Sequence, residues 1–254
     1  MGAYEEIFMK TVIITSMNKE YYDKVGQAML ESYVKHQKDI MPLYIYNEDE
    51  FPIPECVKPL GFNLGHEYNN FLKRHPHVKG RRTARRVKFA KKGFSVIHAM
   101  KFINAKRLLW LDADTIIKQP ISEKFVSRLC PEETLSTHFS VWHDDKDKNT
   151  WHSCETGFFI LNKKHKGFED FKDTYSNIYY TDNNEGMRRF YDGEIYGRTV
   201  TLMEAKGYKL NNLNTHKLKS PIGKSVIKDY VDHYKAKSGK NKLSNEILIK
   251  QHNL

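Results

Sequence analysis

Hydrophobic positions along this chain switch between two periods, and the switching marks out its elements. TVIITSM (11–17) is a short β-branched run of the kind that forms a buried strand. In KEYYDKVGQAMLESYVKHQ (19–37), Tyr22, Val25, Met29, Tyr33 and Val34 recur at helical spacing. MPLYIYNED (41–49) alternates apolar and polar residues and closes in an Asn/Glu/Asp cluster, which predicts a second strand. FPIPECVKPLGFNLGHEY (51–68) carries three prolines and reads as loop with one short strand.

Further on, KKGFSVIHAMKFINA (91–105) puts Phe94, Ile97, Met100 and Ile103 on one face of a helix. It feeds KRLLWLDADTI, a near-continuous apolar run that fits a central strand buried on both faces. After Pro120, ISEKFVSRL predicts a short helix, TLSTHFSVWHDD (134–145) a strand with a polar end, and GFFIL (157–161) another strand. KGFEDFKDTYSNIYY (166–180) is helical by spacing. RRFYDGEIYGRTVTLMEAKGY (188–208) reads as loop then helix, and KLNNLN (209–214) as a short strand. The tail from 219 to 254 is Lys-rich and less regular. Strand, helix, strand at the start followed by further alternation predicts an α/β fold with a Rossmann-like, mostly parallel central sheet flanked by helices. No repeat or linker divides it, so the expected organisation is an N-terminal extension (1–9), one domain (10–240) and a C-terminal tail (241–254).

Composition narrows the class. With 254 residues, 39% of them hydrophobic and 13% aromatic, the chain can bury a sizeable core. It has no run near twenty apolar residues, which argues against a membrane-spanning helix. Three scattered cysteines, Cys56, Cys130 and Cys154, make neither a disulfide framework nor a zinc pattern, and the expected location is a reducing, cytoplasmic one. The net charge of +11 is local in origin. KRHPHVKGRRTARRVKFAKK (73–92) holds ten Lys or Arg and no acid; of 42 basic residues, the remaining 32 nearly balance 31 acidic ones. Such a segment is either a solvated face or a site for a phosphate group or polyanion.

The pair Asp112 and Asp114, one residue apart, follows the apolar run of LLWLDADTIIKQP. Ligands of open α/β sheets gather outside the carboxyl ends of the strands. On an extended backbone two such side chains share a face. Held together they repel unless a proton or a cation intervenes, and Mg²⁺ or Mn²⁺ takes hard oxygen ligands while bridging to phosphates. A bare D-x-D is common by chance; the strand before it, the upstream helix and the basic segment all suit a nucleotide-diphosphate pocket.

At this point the chain resembles the GT-A glycosyltransferases, which use nucleotide-activated sugars. The resemblance rests on an ordered set: RRVKFAKKGFSVIHA, LLWLDADTIIKQP, ETGFFILN, YDGEIY and the late His of DYVDHYKAKSGK. It implies a GT-A fold over about residues 10 to 240. It also implies a nucleotide-sugar donor, a UDP-sugar, and Mn²⁺ or Mg²⁺ as cofactor. Asp112 would meet the donor ribose and the metal beside Ala113, Asp114 would bind the metal more directly, and His233 would be the third protein ligand, with His216 its rival. Thr15 and Ser16, after the first strand, would touch base and ribose. Arg85, Arg86 and Lys88 are candidates for the diphosphate or the base, since guanidinium and ammonium groups recognise phosphate; Lys237 is another candidate for the diphosphate. Asp192 and Glu155 are the candidate bases for the acceptor hydroxyl, while Asp192 as a helix N-cap and Glu155 as a sugar-hydroxyl ligand stand as alternatives. Gly157 is expected to let a substrate approach the backbone closely. Trp142, His143 and Trp151 could stack on sugar rings.

The basic segment adds a further expectation, a polyanionic acceptor such as hydroxyl-bearing modified DNA or an envelope glycan. Two other readings compete. A sugar-nucleotide nucleotidyltransferase shares the sheet and the paired carboxylates, but TSMNKEYY lacks the glycines of a phosphate loop. A non-catalytic nucleic-acid-binding protein would use the basic run, yet only Phe89 interleaves it as a stacking platform, and the D-x-D would go unused.

Overall fold

The computed structural model describes residues 9–76, 83–141, 153–185, 187, 189–215, 218, 221–234 and 244–254. The chain opens with β1 (Met9–Met17), a three-residue helical turn α1 (Lys19–Tyr21), a π-helical segment (Tyr22–Gly26), α2 (Gln27–His36), β2 (Leu43–Asn47) and β3 (Lys58–Gly61). It continues through α3 (His66–Arg74), α4 (Thr83–Phe102), β4 (Ala105–Leu111), β5 (Thr115–Ile117) and α5 (Glu123–Leu129). Then come β6 (Ser136–His138), β7 (Ser140–Val141), β8 (Ser153–Cys154), β9 (Phe158–Asn162), α6 (Phe168–Thr181) and α7 (Asp192–Ala205). Last are β10 (Leu210–Asn212), a 3₁₀ turn at Ile222–Lys224, β11 (Val231–His233) and α8 (Asn245–His252).

Seven strands form the main sheet in the order β10-β6-β9-β4-β1-β2-β3. All neighbours are parallel except β9, which runs antiparallel to both β4 and β6. Side chains of a strand alternate between faces, and here both faces are apolar. Val12 and Ile14 of β1, Leu108 and Trp110 of β4, and Phe159 and Leu161 of β9 join α3, α4, α6 and α7 in one core. Ile13, Leu109, Leu111, Phe158 and Ile160 point the other way, onto α2 and α5. A sheet covered on both faces explains why these strands read as continuous hydrophobic runs.

The topology places the site. From β1 the chain moves through α2 to β2 on one side, and after β3 returns through α4 to β4 on the other side of β1. The β1/β4 boundary is thus a topological switch point, where a crevice opens at the carboxyl ends of both strands.

Among the elements that depart from the expected ones are three helices. The loop expected to run to Tyr68 ends at Gly65, and residues 66–74 form α3, which begins after Gly65 at φ +86°, a conformation glycine adopts without penalty. Helix α4 starts at Thr83, inside the basic segment rather than after it. The Lys-rich tail ends in α8, capped by Ser244, whose hydroxyl accepts from the Ile247 N–H. Among the described residues no helix is long and apolar enough to cross a membrane.

Candidate functional site

A cavity of about 270 Å³ lies at the switch point. Ser16, Met17 and Asn18 at the end of β1 form one edge, with Glu20 and Tyr21 of the following turn and Glu48 after β2. A face of α4 supplies Val87, Lys88, Phe89, Lys91 and Lys92; Trp110, Asp112, Ala113, Asp114 and Asp192 complete the lining.

Asp112 and Asp114 do not share a face by way of an extended backbone. The chain turns after Leu111, closed by a hydrogen bond from the Thr115 N–H to the Asp112 carbonyl at 3.0 Å, and the turn brings the two carboxylates together. The turn is fixed from outside: the Asp112 N–H donates to the Gly157 carbonyl at 3.0 Å and the Tyr234 N–H to the Asp114 carbonyl at 2.8 Å. Strand β11 pairs antiparallel with β5, with His233 opposite Thr115, and so delivers the imidazole beside Asp114. His233 Nε2 stands 3.1 Å from Asp114 Oδ1 and 3.8 Å from Asp112 Oδ2, and its Nδ1 is 3.9 Å from Glu155 Oε1. One ligand atom from each of Asp112, Asp114 and His233 lies within 4.8 Å of the others. Gly157 makes room for a protein group rather than for substrate. A Cβ there would meet His233 Cε1 at 2.6 Å.

Lys92 is the electrostatic centre of the site, although it is absent from the residues that the sequence pattern singles out. Its Nζ lies 2.6 Å from Asp112 Oδ1, 3.1 Å from Asp192 Oδ2 and 2.7 Å from the Thr156 carbonyl, and sits over the Trp110 ring at 5.2 Å. Trp110 Nε1 donates to the same Asp112 oxygen at 2.7 Å. Burial disfavours the ammonium charge, but Asp112 and Asp192 outweigh it and hold its pKa above the ordinary lysine value. For Asp112, burial raises the pKa, with Lys92 opposing and Asp114 adding to the rise. His233 is raised as well: burial works against its charge, and the bond to Asp114 with the carboxylates of Asp114, Asp112 and Glu155 prevails. Glu48, also raised by burial, pairs with Lys91 at 2.5 Å.

Asp192 is the first residue of α7 and not its N-cap, which is Tyr191. Its Oδ2 takes both Lys92 and the Thr156 hydroxyl, the latter at 2.6 Å. Gly193 permits this placement, because a Cβ there would lie 2.5 Å from the Cys154 carbonyl oxygen of β8. Among the other expected residues, Ser16, Lys88 and Ala113 line the cavity. Thr15 is buried and does not line it, and its hydroxyl has no hydrogen-bond partner among the described residues. Arg85 is exposed and Arg86 lays its guanidinium over the Phe190 ring at 4.6 Å; neither lines the cavity. Lys237, His216, Trp142, His143 and Trp151 lie outside the described residues.

Among its described residues, the basic segment is not one solvated face. Arg74 pairs with Asp182, Lys91 with Glu48, Lys92 with two aspartates, and Lys88 sits over the Tyr21 ring at 5.2 Å.

No family model matches the chain, and no curated protein matches it in sequence. Solved structures do match its fold. The apo form of the glycosyltransferase GlyE of Streptococcus pneumoniae TIGR4 aligns with a TM-score of 0.53 at 11% identity, over 97% of this chain and 61% of GlyE. The galactosyltransferase LgtC, in complex with donor and acceptor sugar analogs, aligns with a TM-score of 0.55 at 9% identity, over 95% of each chain. The apo bifunctional glycosyltransferase WbbM aligns with a TM-score of 0.54 at 11% identity, over 99% of this chain and 51% of WbbM. The chain thus spans about three-fifths of GlyE and half of WbbM, and has the GT-A fold that its sequence pattern implied.

Proposed function

We propose that the chain is a metal-dependent glycosyltransferase that moves a sugar from a nucleotide-diphosphate donor, a UDP-sugar, to an acceptor hydroxyl, with residues 10–240 as the catalytic unit. The observation that carries this reading is the convergence of Asp112, Asp114 and His233 at a switch-point cavity walled by a lysine-bearing helix. Two carboxylates and one imidazole within 4.8 Å suit Mn²⁺ or Mg²⁺. Such an ion, when bound, neutralises charge on the departing diphosphate.

The chain's own residues do the rest. Asp112 Oδ1 is held by Lys92 and Trp110, which turns Oδ2 towards Asp114 and His233. Glu155 stands behind His233, where it favours the orientation that presents Nε2 to the carboxylates. Ser16 and Tyr21 line the edge suited to ribose and base, and Lys88 offers a cation to the diphosphate. Lys92 spends its three donors on Asp112, Asp192 and the Thr156 carbonyl, which fixes Asp192 in the cavity wall as an acceptor suited to a hydroxyl of the transferred sugar. For a polyanionic acceptor the segment offers the exposed Lys73, Arg74 and Arg85, whereas Lys91 and Lys92 are turned to Glu48 and to the two aspartates.

The test is nucleotide release from a panel of UDP-sugars with Mn²⁺, Mg²⁺ or chelator, in the parent and in Asp114→Ala. Transfer or hydrolysis that needs metal and vanishes in Asp114→Ala is expected. Activity that persists unchanged in chelator and in the variant refutes the proposal.

A further inference from the structure

The cavity edge opposite the lysines has an irregular backbone. Between α1 and α2, residues Tyr22–Gly26 form a π segment. A π turn holds one residue more than an α turn, and each residue of a helix adds about 100° of rotation. The π segment therefore sets the direction of whatever precedes it. What precedes it is Tyr21, which lines the cavity with Asn18 and Glu20.

A π segment leaves backbone groups out of helical register, and they need other partners. Beside the bond from the Gln27 N–H to the Tyr22 carbonyl, they meet one side chain, 217 residues away from Ala28. Asn245, the first residue of α8, is 8% exposed. Its Oδ1 accepts from the Ala28 N–H at 3.1 Å, and its Nδ2 donates to the carbonyls of Tyr22 and Asp23 at 2.8 and 2.9 Å. Both donors and the acceptor of the amide are used at the junction of the π segment with α2.

The same helix reaches the ligand-bearing strands. Leu248 is buried with Val25, Ala28 and Ile116, and Ile116 belongs to β5, which follows Asp114 directly. His252 Nε2 and Gln251 Nε2 lie 2.8 and 3.0 Å from the hydroxyl of Tyr234. Tyr234 follows His233, and its N–H holds the Asp114 carbonyl. A single helix thus grips the turn that aims Tyr21 and the strands that carry Asp114 and His233.

We propose that α8 is a clasp for the donor site, in which Asn245 is a positioning residue that keeps the π segment wound and so aims Tyr21, while Leu248, Gln251 and His252 hold the Asp114–His233 limb. The proposal rests on the reading of the cavity as a metal and nucleotide site.

The test uses the full chain and two variants. Asn245→Asp keeps the size and the acceptor but replaces the two donated bonds with a carboxylate facing carbonyls. Deletion of Asp23, an exposed residue, removes the extra residue and lets the π segment become a regular α turn; it also turns Tyr21 and Tyr22 against the clusters they pack on, a cost that the melting temperature reads. Mn²⁺ binding is followed by electron paramagnetic resonance of the free ion, UDP binding by calorimetry in Mn²⁺, and folding by melting temperature. Both variants are expected to bind UDP about tenfold more weakly, the factor that one net hydrogen-bond contribution carries. Asn245→Asp should also weaken Mn²⁺ binding, whereas deletion of Asp23 should leave it intact. A folded Asp23 deletion that binds UDP like the parent overturns the proposal, and decides the matter alone if Asn245→Asp does not fold. A lowered melting temperature with both affinities intact overturns it too, by reducing α8 to a brace. A parent chain that binds neither Mn²⁺ nor UDP overturns the glycosyltransferase reading itself, an outcome distinct from the others.

Discussion

Gly157→Ala should damage the proposed metal site without replacing any of its three candidate ligands. A Cβ at this position would lie 2.6 Å from His233 Cε1, 2.9 Å from Nε2 and 3.0 Å from Nδ1. Carbon atoms settle at about 3.5–4.0 Å, so the imidazole must retreat by roughly 1 Å. It has little freedom to do so, being held by strand pairing with Thr115 and by Asp114. Metal–ligand distances tolerate about 0.2 Å, and disturbing the group that orients a ligand costs about 10- to 100-fold in metal affinity. Overpacking also destabilises by about 1–3 kcal/mol, which for a chain of this size lowers the melting temperature by roughly 2–4 °C per kcal/mol. Mn²⁺ titration and thermal melts of Gly157→Ala and Gly61→Ala measure both effects; Gly61 is the control, since nothing lies within 4 Å of its added Cβ. A Gly157→Ala protein that binds Mn²⁺ as tightly as the parent would refute the claim that this glycine exists to seat His233.

Lys92→Met should strand Asp112 and Asp192 without their shared cation and destabilise the metal-free protein by about 3–5 kcal/mol. Added Mn²⁺ should restore part of that loss through Asp112, and denaturant melts with and without the ion measure it; equal melts of variant and parent sink this account. Proton competition should govern metal binding. Metal-free His233 has a raised pKa, so its protonated form contributes stability that is complete below the ordinary imidazole value of 6.5 and is lost as pH rises through the raised one. Mn²⁺ needs the neutral ring, so affinity should climb with pH through a window above 6.5, with proton release, and then level off. Calorimetry in buffers of different ionisation enthalpy checks this, and an affinity independent of pH across that window contradicts it.

The parts of the fold that are legible in the sequence are those where one rule dominates. Strands β1, β4 and β9 are apolar on both faces because helices cover both, and their runs stand out from any helical pattern. Helix α3 is hidden because it follows a proline-rich stretch and depends on Gly65 adopting a positive φ. The π segment carries no local signature at all, since Asn245 stabilises it from the far end of the chain. At the site, Asp112, Asp114 and His233 come together as the resemblance implied, but through a turn and a strand pairing that spacing does not reveal. Gly157 is legible as a place of close approach, yet the group that approaches is the His233 ring from a distant strand and not a substrate.

Lys92 shows what a sharper reading of the charge run would use. In RRVKFAKKGF, Val87, Ala90 and Phe94 form the buried stripe of α4, while Lys88, Lys91 and Lys92 form an adjoining stripe at helical spacing. A solvated helix face usually interleaves acids with such cations at i, i+4; this one has none anywhere in residues 73–92. Cations beside a buried stripe, with no acids on their own helix, must be matched from elsewhere in the fold or by a ligand. The next strand ends in two aspartates, a conjunction that foretells the pairing. Lys92 meets Asp112 across the helix–strand connection, and Lys91 meets Glu48 at the end of β2. Lys88 meets the ring of Tyr21 and, among these three, has no carboxylate within ion-pairing distance among the described residues. The location of the charge thus says more than its total: part of it, Lys88, Lys91 and Lys92, lines the cavity.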